Sequence, residues 1–354
     1  MTKKWVLLPA LALLVFLFTR VANHFHSIVE NLYSQKLYVG IAKTISALSS
    51  EIPFSIDDIF YLFLIILILI LLILPFFKKI SFGKALRTVL NILSCIYILF
   101  YVLWGFNYFR YNLNERLGIE KQNPDTELFS EELSKLVDTT NFAYCNFDNF
   151  NKKQIDSLVE ESYNKVAPIL KIKYPQGKRR AKKITFSRFF AKAGISGYFG
   201  PFFNEIHINK FVLPVEYPFV LAHEKAHQFG ITSEAEANFY AWLVCTSSPS
   251  KQLQYSANLQ VLRFFLYQGT GLKNYQEIVK ELNENVKIDY RKIRENWEKL
   301  RNEKVDKIAS KVNDTYLKTN QVKKGIDDYN NVVQLVMDFS FDPVFQEKYH
   351  LNMH

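Results

Sequence analysis

The sequence predicts an α+β protein in two parts. An N-terminal membrane region of three transmembrane helices (residues 1–110) precedes a mostly α-helical extracytoplasmic domain with a small sheet (residues 111–354). Three observations carry this. Ile59 to Phe77 is an uncharged run of Leu, Ile and Phe long enough to cross a bilayer. The chain after residue 125 has amphipathic helical spacing with two short β-type stretches between. A mean hydropathy near zero, with 49% apolar residues, is the average of these two unlike parts.

The elements follow in order. Trp5 to Phe18 comes after Lys3 and Lys4 and reads as a span over about residues 5–22. No clean small-x-small cleavage site follows it, so a retained anchor is expected rather than a signal peptide. Residues 20–58 form an extracytoplasmic loop, in which Ile28 to Leu48 has helical apolar spacing and lies along the membrane or against the soluble domain. The other spans are expected at about 59–77 and 88–109. Lys78, Lys79, Lys84 and Arg87 between them mark a cytoplasmic loop. Everything after about Arg110 then lies outside, which in a Gram-negative cell is the periplasmic side of the inner membrane.

Residues 111–125, with Gly118 and Pro124, read as a linker. Glu127 to Val137 and Lys153 to Leu170 read as amphipathic helices. Lys183 to Phe190 has β-type composition, and Gly194 to Gly200 reads as a turn between strands, since no phosphate-loop fingerprint accompanies its glycines. Asn204 to Asn209 reads as a second strand, expected at an exposed edge where a peptide could pair with it. His207 on that strand is more often structural than catalytic. Helical character continues over Phe239 to Phe265, Lys273 to Val312 and Asp314 to Phe339.

The chemistry concentrates between residues 215 and 238. Val215 to Phe229 reads as a helix, with Pro214 and Pro218 near its first turn and Gly230 at its stop. It carries His223-Glu224-Lys225-Ala226-His227, an H-E-x-x-H motif. Imidazoles at i and i+4 share one helix face and can reach one metal ion. Glu224 stands beside them, where a carboxylate can act as general base. The plain alternative is a helix that happens to hold two histidines. Ser233 with Glu236 makes a capping-box pattern for the next helix, which gives Glu236 a local role and leaves Glu234 as the third ligand. Glu234 could otherwise be an ordinary first-turn acid complementing the helix dipole.

His223-Glu224-x-x-His227 followed by Glu234-x-x-Ala237-Asn238 resembles the gluzincin pattern of zinc metallopeptidases. The resemblance implies a zincin-like domain, Zn2+ on His223, His227 and Glu234, and Asn238 in the place of an acid that orients a ligand histidine. Asn there weakens that hydrogen bond without abolishing it. The very short connection between the two helices departs from thermolysin-like members and is closer to minimal gluzincins. Pro53-Phe54-Ser55, Leu103-Trp104-Gly105-Phe106-Asn107-Tyr108, the metal segment through Phe239, and Tyr316-Leu317-Lys318 with Gly325 and Tyr329 resemble a bacterial membrane family named only as a domain of unknown function, number 3810. That resemblance implies three membrane helices and an H-E-x-x-H domain, and no known substrate.

The expected activity is peptide-bond hydrolysis in the cell envelope, with Glu224 as general base on zinc-bound water. The alternative is a catalytically inactive membrane protein with a structural or vestigial zinc site. Hydrolysis of wall peptide stems would use the same chemistry as proteolysis. An oxyanion donor is also needed. Tyr240, Tyr255 and Tyr267 are the candidates, with Tyr255 preferred because it follows the ligand helix, and after His227 only His350 and His354 remain. The net charge is +10, with a basic run from Lys171 to Lys192 that holds no acid. Outside the cell nucleic acid is excluded as a partner, so the run is either a solvated loop or a contact for anionic lipid headgroups. Cys145 and Cys245 are either a disulfide or two buried thiols.

Overall fold

Local capping chemistry sets several helix starts in the computed structural model, which describes residues 4–175, 177, 179–320, 322, 329 and 331–342. Lys3, Lys178, Gly325, His350 and His354 of the sequence reading lie outside these residues. Ser55 caps Ile56–Ile73 by accepting from the Asp58 amide, and Ser81 caps Phe82–Leu103 by accepting from Lys84. Both helices are long and apolar enough to cross a membrane. They begin before the expected limits because the caps draw Asp57, Asp58 and Lys84 into their first turns. A helix needs satisfied amides at its start more than apolar side chains.

The first apolar helix, Leu7–Ala22, has 16 residues. It reaches a membrane-spanning length only together with His26–Ser50, from which it bends by 109°. The chain thus carries two or three apolar helices able to span a membrane. His26–Ser50 winds as a π-helix over Val29–Leu37. It also packs against the soluble part, where the Tyr38 hydroxyl donates to the Gln228 carbonyl at 2.8 Å.

The sheet has three strands, β1 (Ala181–Lys183), β2 (Gly197–Gly200) and β3 (Glu205–Ile208), in the order β1-β3-β2. β3 is parallel to β1 and antiparallel to β2. Three expectations are corrected here. The β-type stretch from Lys183 gives a strand only up to Lys183, because β3 is too short to pair with more. Ile184 makes the last bond, to Ile208, and Ser187–Lys192 turns helical. The Gly194–Gly200 segment turns at Gly194 (φ +69°) and then becomes β2. The predicted strand at 204–209 exists, but it is central and buried rather than an exposed edge, since partners occupy both its sides. Among the described strands the edges are β1 and β2.

Side chains alternate across the sheet. Ile206 and Ile208 of β3 face the core, while Glu205 and His207 point the other way, toward the start of Ile56–Ile73. On the core side lie two helices buried almost all round, Tyr217–Gln228 and Glu234–Thr246. Around them pack Thr126–Ala143, Lys152–Val166, Lys251–Gln268 and Val332–Ser340. The helical run expected over 239–265 breaks in two, at Ser247–Ser250, where Pro249 cannot continue the helix. Tyr275–Lys280, Glu284–Leu300 and Glu303–Thr319 lie on the C-terminal side. Cys145 and Cys245 are free thiols, with Cys245 fully buried.

Candidate metal centre

The helix Tyr217–Gln228 starts with proline in its first turn and ends at Gly230, whose φ of +83° is the left-handed conformation of a C′ glycine. Its last carbonyls are buried and need donors. The N-terminal third of the chain supplies them. Trp104 Nε1 donates to His227 O at 2.9 Å, Tyr38 to Gln228 O, and Arg110 Nη1 to Gly230 O at 3.1 Å. Arg110 is in turn held by a bidentate bond to Glu30, at 2.7 and 2.8 Å. The motif helix is therefore fixed by the ends of the apolar helices.

On this helix His223 and His227 point their Nε2 atoms at each other, 3.1 Å apart. The next helix, capped by Ser233, brings Glu234 Oε2 to 3.1 Å from His223 Nε2 and 3.5 Å from His227 Nε2. Donor atoms bound at roughly 2.0–2.1 Å around a tetrahedral ion stand about 3.3 Å apart. The three atoms fit that spacing with one position left open, so these residues suit a divalent ion such as zinc.

The surroundings orient and charge the donors. His223 Nδ1 is 2.8 Å from Asn238 Oδ1, and His227 Nδ1 is 2.8 Å from the Ile231 carbonyl. Each histidine thus has its outer nitrogen engaged and its inner one directed at the shared point. Burial works against a charged His227, but the Glu234 and Glu224 carboxylates outweigh it and raise the imidazole to about 9. The field in the pocket favours a positive charge. Glu224 is buried, and burial pushes its carboxyl up to about 7, against the pull of His223 and His227 and with help from the Glu234 charge. Its carboxylate sits over Gly197 of β2, where a Cβ would come within 2.6 Å of Oε1. Only glycine fits under this carboxylate.

Glu236 takes a different job from the one its capping-box spacing suggests. The Ser233 hydroxyl accepts from its amide, but its carboxylate oxygens accept from the Leu113 amide (2.9 Å) and Arg116 (2.6 Å). A long-range buried ion pair outcompetes the local return bond.

Tyr255 does not join the group. It is fully buried on Lys251–Gln268, its hydroxyl donates to Asp289 at 3.0 Å, and its ring packs on Tyr144 and Phe147. The helix buries that face into the core, away from the ligands. Tyr240 accepts from Arg116, and Tyr267 is exposed. The tyrosine that does reach the group is Tyr329, which hydrogen-bonds Glu234 and Asn313; burial, Glu234 and Glu224 all push its phenol up. Tyr108 and Tyr316, linked at 3.1 Å, also feel the Glu234 charge. Spacing along the chain gave no signal for Tyr329, which stands nearly a hundred residues from its partner. His207 lies on the far face of β3 and not with these ligands.

The basic run also divides. Arg179 is buried against Glu160, and Lys182 against Glu205, so neither can meet a lipid surface. Lys173, Arg180, Lys183, Arg188 and Lys192 are exposed.

A family model described as a protein of unknown function (DUF3810) matches residues 33–337, and the chain belongs to that family. No curated protein and no solved structure matches it.

Proposed function

From membership of a family without an assigned activity, we propose that this protein is a membrane-anchored, zinc-dependent metallopeptidase of gluzincin type, acting on the extracytoplasmic side. The observation that carries the reading is the convergence of His223 Nε2, His227 Nε2 and Glu234 Oε2 at tetrahedral spacing, with the Glu224 carboxyl beside them. A bound zinc ion would lower the pKa of a water and polarise an amide carbonyl.

The residues of the chain then have separate duties. Glu224 takes a proton from the attacking water and returns it to the leaving amine, a task suited to a buried carboxyl beside the three donor groups. Asn238 and the Ile231 carbonyl keep the two imidazoles turned inward. Tyr329, in place of Tyr255, is the phenol available to donate to the oxyanion as it forms. The free edge of β2 above Glu224 is where an extended peptide can add as a strand. The basic loop at Lys78–Arg87 supports a periplasmic domain in a bacterial inner membrane. The exposed lysines and arginines between 171 and 192 leave a contact for anionic headgroups open.

The purely structural reading of the metal site leaves Glu224 without a purpose, since burying an unused carboxyl beside Glu234 is costly. The test compares envelope fractions from cells carrying the native protein and Glu224→Gln. Peptides that accumulate or disappear only with native Glu224 support hydrolysis. Identical fractions, with the variant present at native levels, overturn it.

A further inference from the structure

We propose that Asp57, Glu205 and His207 form a second divalent-cation site, on the opposite face of the sheet from the Glu224 helix, where the helix Ile56–Ile73 meets β3. Each residue offers a ligand atom, and these atoms all lie within 4.8 Å of one another. The three side chains are enclosed, Asp57 and His207 at 0% exposure.

Two facts point to a missing partner. Both carboxylate oxygens of Asp57 are buried without a hydrogen-bond partner among the described residues, and so is Nδ1 of His207. Buried polar atoms are almost always satisfied, so such a group calls for an explanation. Gly200 of β2 also stands against this carboxylate, where a Cβ would fall 2.1 Å from Oδ2. The strand thus leaves room for Asp57 to be there, although no side chain among the described residues bonds it.

The charges agree. Asp57, Asp58 and Glu205 bring three carboxylates together, and Lys182, paired with Glu205, brings one positive charge. A divalent ion makes these four groups neutral. Glu205 already accepts from the Ile56 and Asp57 amides, and His207 Nε2 lies 2.8 Å from Ser55 Oγ and 3.2 Å from Glu205 Oε2. Asp58 is engaged elsewhere, by the Thr185 amide and Tyr198. Two carboxylates and one imidazole suit zinc or manganese. An ion here would pin the first turn of a membrane helix to the central strand, apart from any chemistry at Glu224.

The test is metal stoichiometry of the full-length protein in detergent, equilibrated with Zn2+ or Mn2+ and freed of loose ion. The native protein should hold two equivalents. The His223→Ala, His227→Ala double variant should hold one, and adding Asp57→Asn with His207→Ala should remove it. The melting temperature of the double variant should rise with added Zn2+ and lose that response when Asp57→Asn is added. If the Glu224 centre binds nothing, the native protein holds one equivalent that Asp57→Asn removes, and the present proposal stands alone. A monodisperse double variant that binds neither ion overturns it. So does an equivalent that survives Asp57→Asn with His207→Ala. Should the double variant fail to fold, Asp57→Asn in the native background must lower two equivalents to one.

Discussion

Lys225, the third residue of the H-E-x-x-H motif, is fully buried with its ammonium 2.5 Å from Glu160 Oε1, on the helix Lys152–Val166. Asp156 stands 3.0 Å away on the same helix, and Arg179 shares Glu160. The motif helix is therefore keyed in from one side by ion pairs, while its end is held from the other by Trp104, Tyr38 and Arg110. Burial alone would raise the Glu160 carboxyl, but Lys225 and Arg179 outweigh it and hold it at about 2.

The sign of the pH effect follows. Glu160 ionises more readily in the folded chain than in the unfolded one. Its contribution to stability is complete above the ordinary carboxylate pKa, near 4.5, and is lost as pH falls toward 2. The melting temperature of the native protein should thus fall as pH drops through that window. Glu160→Gln should cost about 1.5–3 kcal/mol at neutral pH, because it removes the charge shared by Lys225 and Arg179 while Asp156 still pairs with Lys225. Equal melting temperatures for the two proteins at pH 7 would contradict the assignment.

Glu224→Gln should keep the metal of the first centre and lose hydrolysis. His223→Ala with His227→Ala should lose one equivalent of metal as well as activity. Elemental analysis beside a peptide-cleavage assay separates the two outcomes. Residual cleavage by Glu224→Gln at the native rate would remove Glu224 from the mechanism.

Asn238→Ala should weaken metal binding roughly 10–100-fold by freeing the His223 ring, and Asn238→Asp should tighten it. Competition with a chelator measures both. The idea fails if the alanine variant matches the native affinity.

Tyr329→Phe and Tyr255→Phe should behave differently. The first removes the phenol beside Glu234 and should lower kcat by about 10²-fold with metal content unchanged. The second breaks the bond to Asp289 and should cost about 1 kcal/mol of stability while leaving kcat alone. The opposite pattern in kcat would restore Tyr255 to the site.

The cluster of His223, His227 and Glu234 was legible because it is local. His223 and His227 are four residues apart on one helix, and Glu234 opens the next one with a serine cap in front of it. The caps at Ser55 and Ser81 were equally local, yet apolar composition alone drew the span limits too late. What could not be read was set by distant pairing. β3 became central because β1 and β2 happen to flank it. Glu236 left its own helix start for Arg116, Tyr329 came in from the far end of the chain, and Asp57 met His207 across a hundred and fifty residues. No periodicity encodes such meetings. They depend on how whole elements dock.

The carbonyls at the end of the motif helix have a practical meaning for anyone handling this protein. Cutting the chain near residue 110 to obtain a water-soluble piece would take Trp104, Tyr38 and Arg110 away together, leave the Gln228 and Gly230 carbonyls without these donors, and leave His227 O with the Gly230 amide alone. Such a piece would have to remodel the very turn that carries His227. The helical domain that carries the histidines is thus not portable, and whatever tilts or shifts the apolar helices is transmitted to it through three hydrogen bonds.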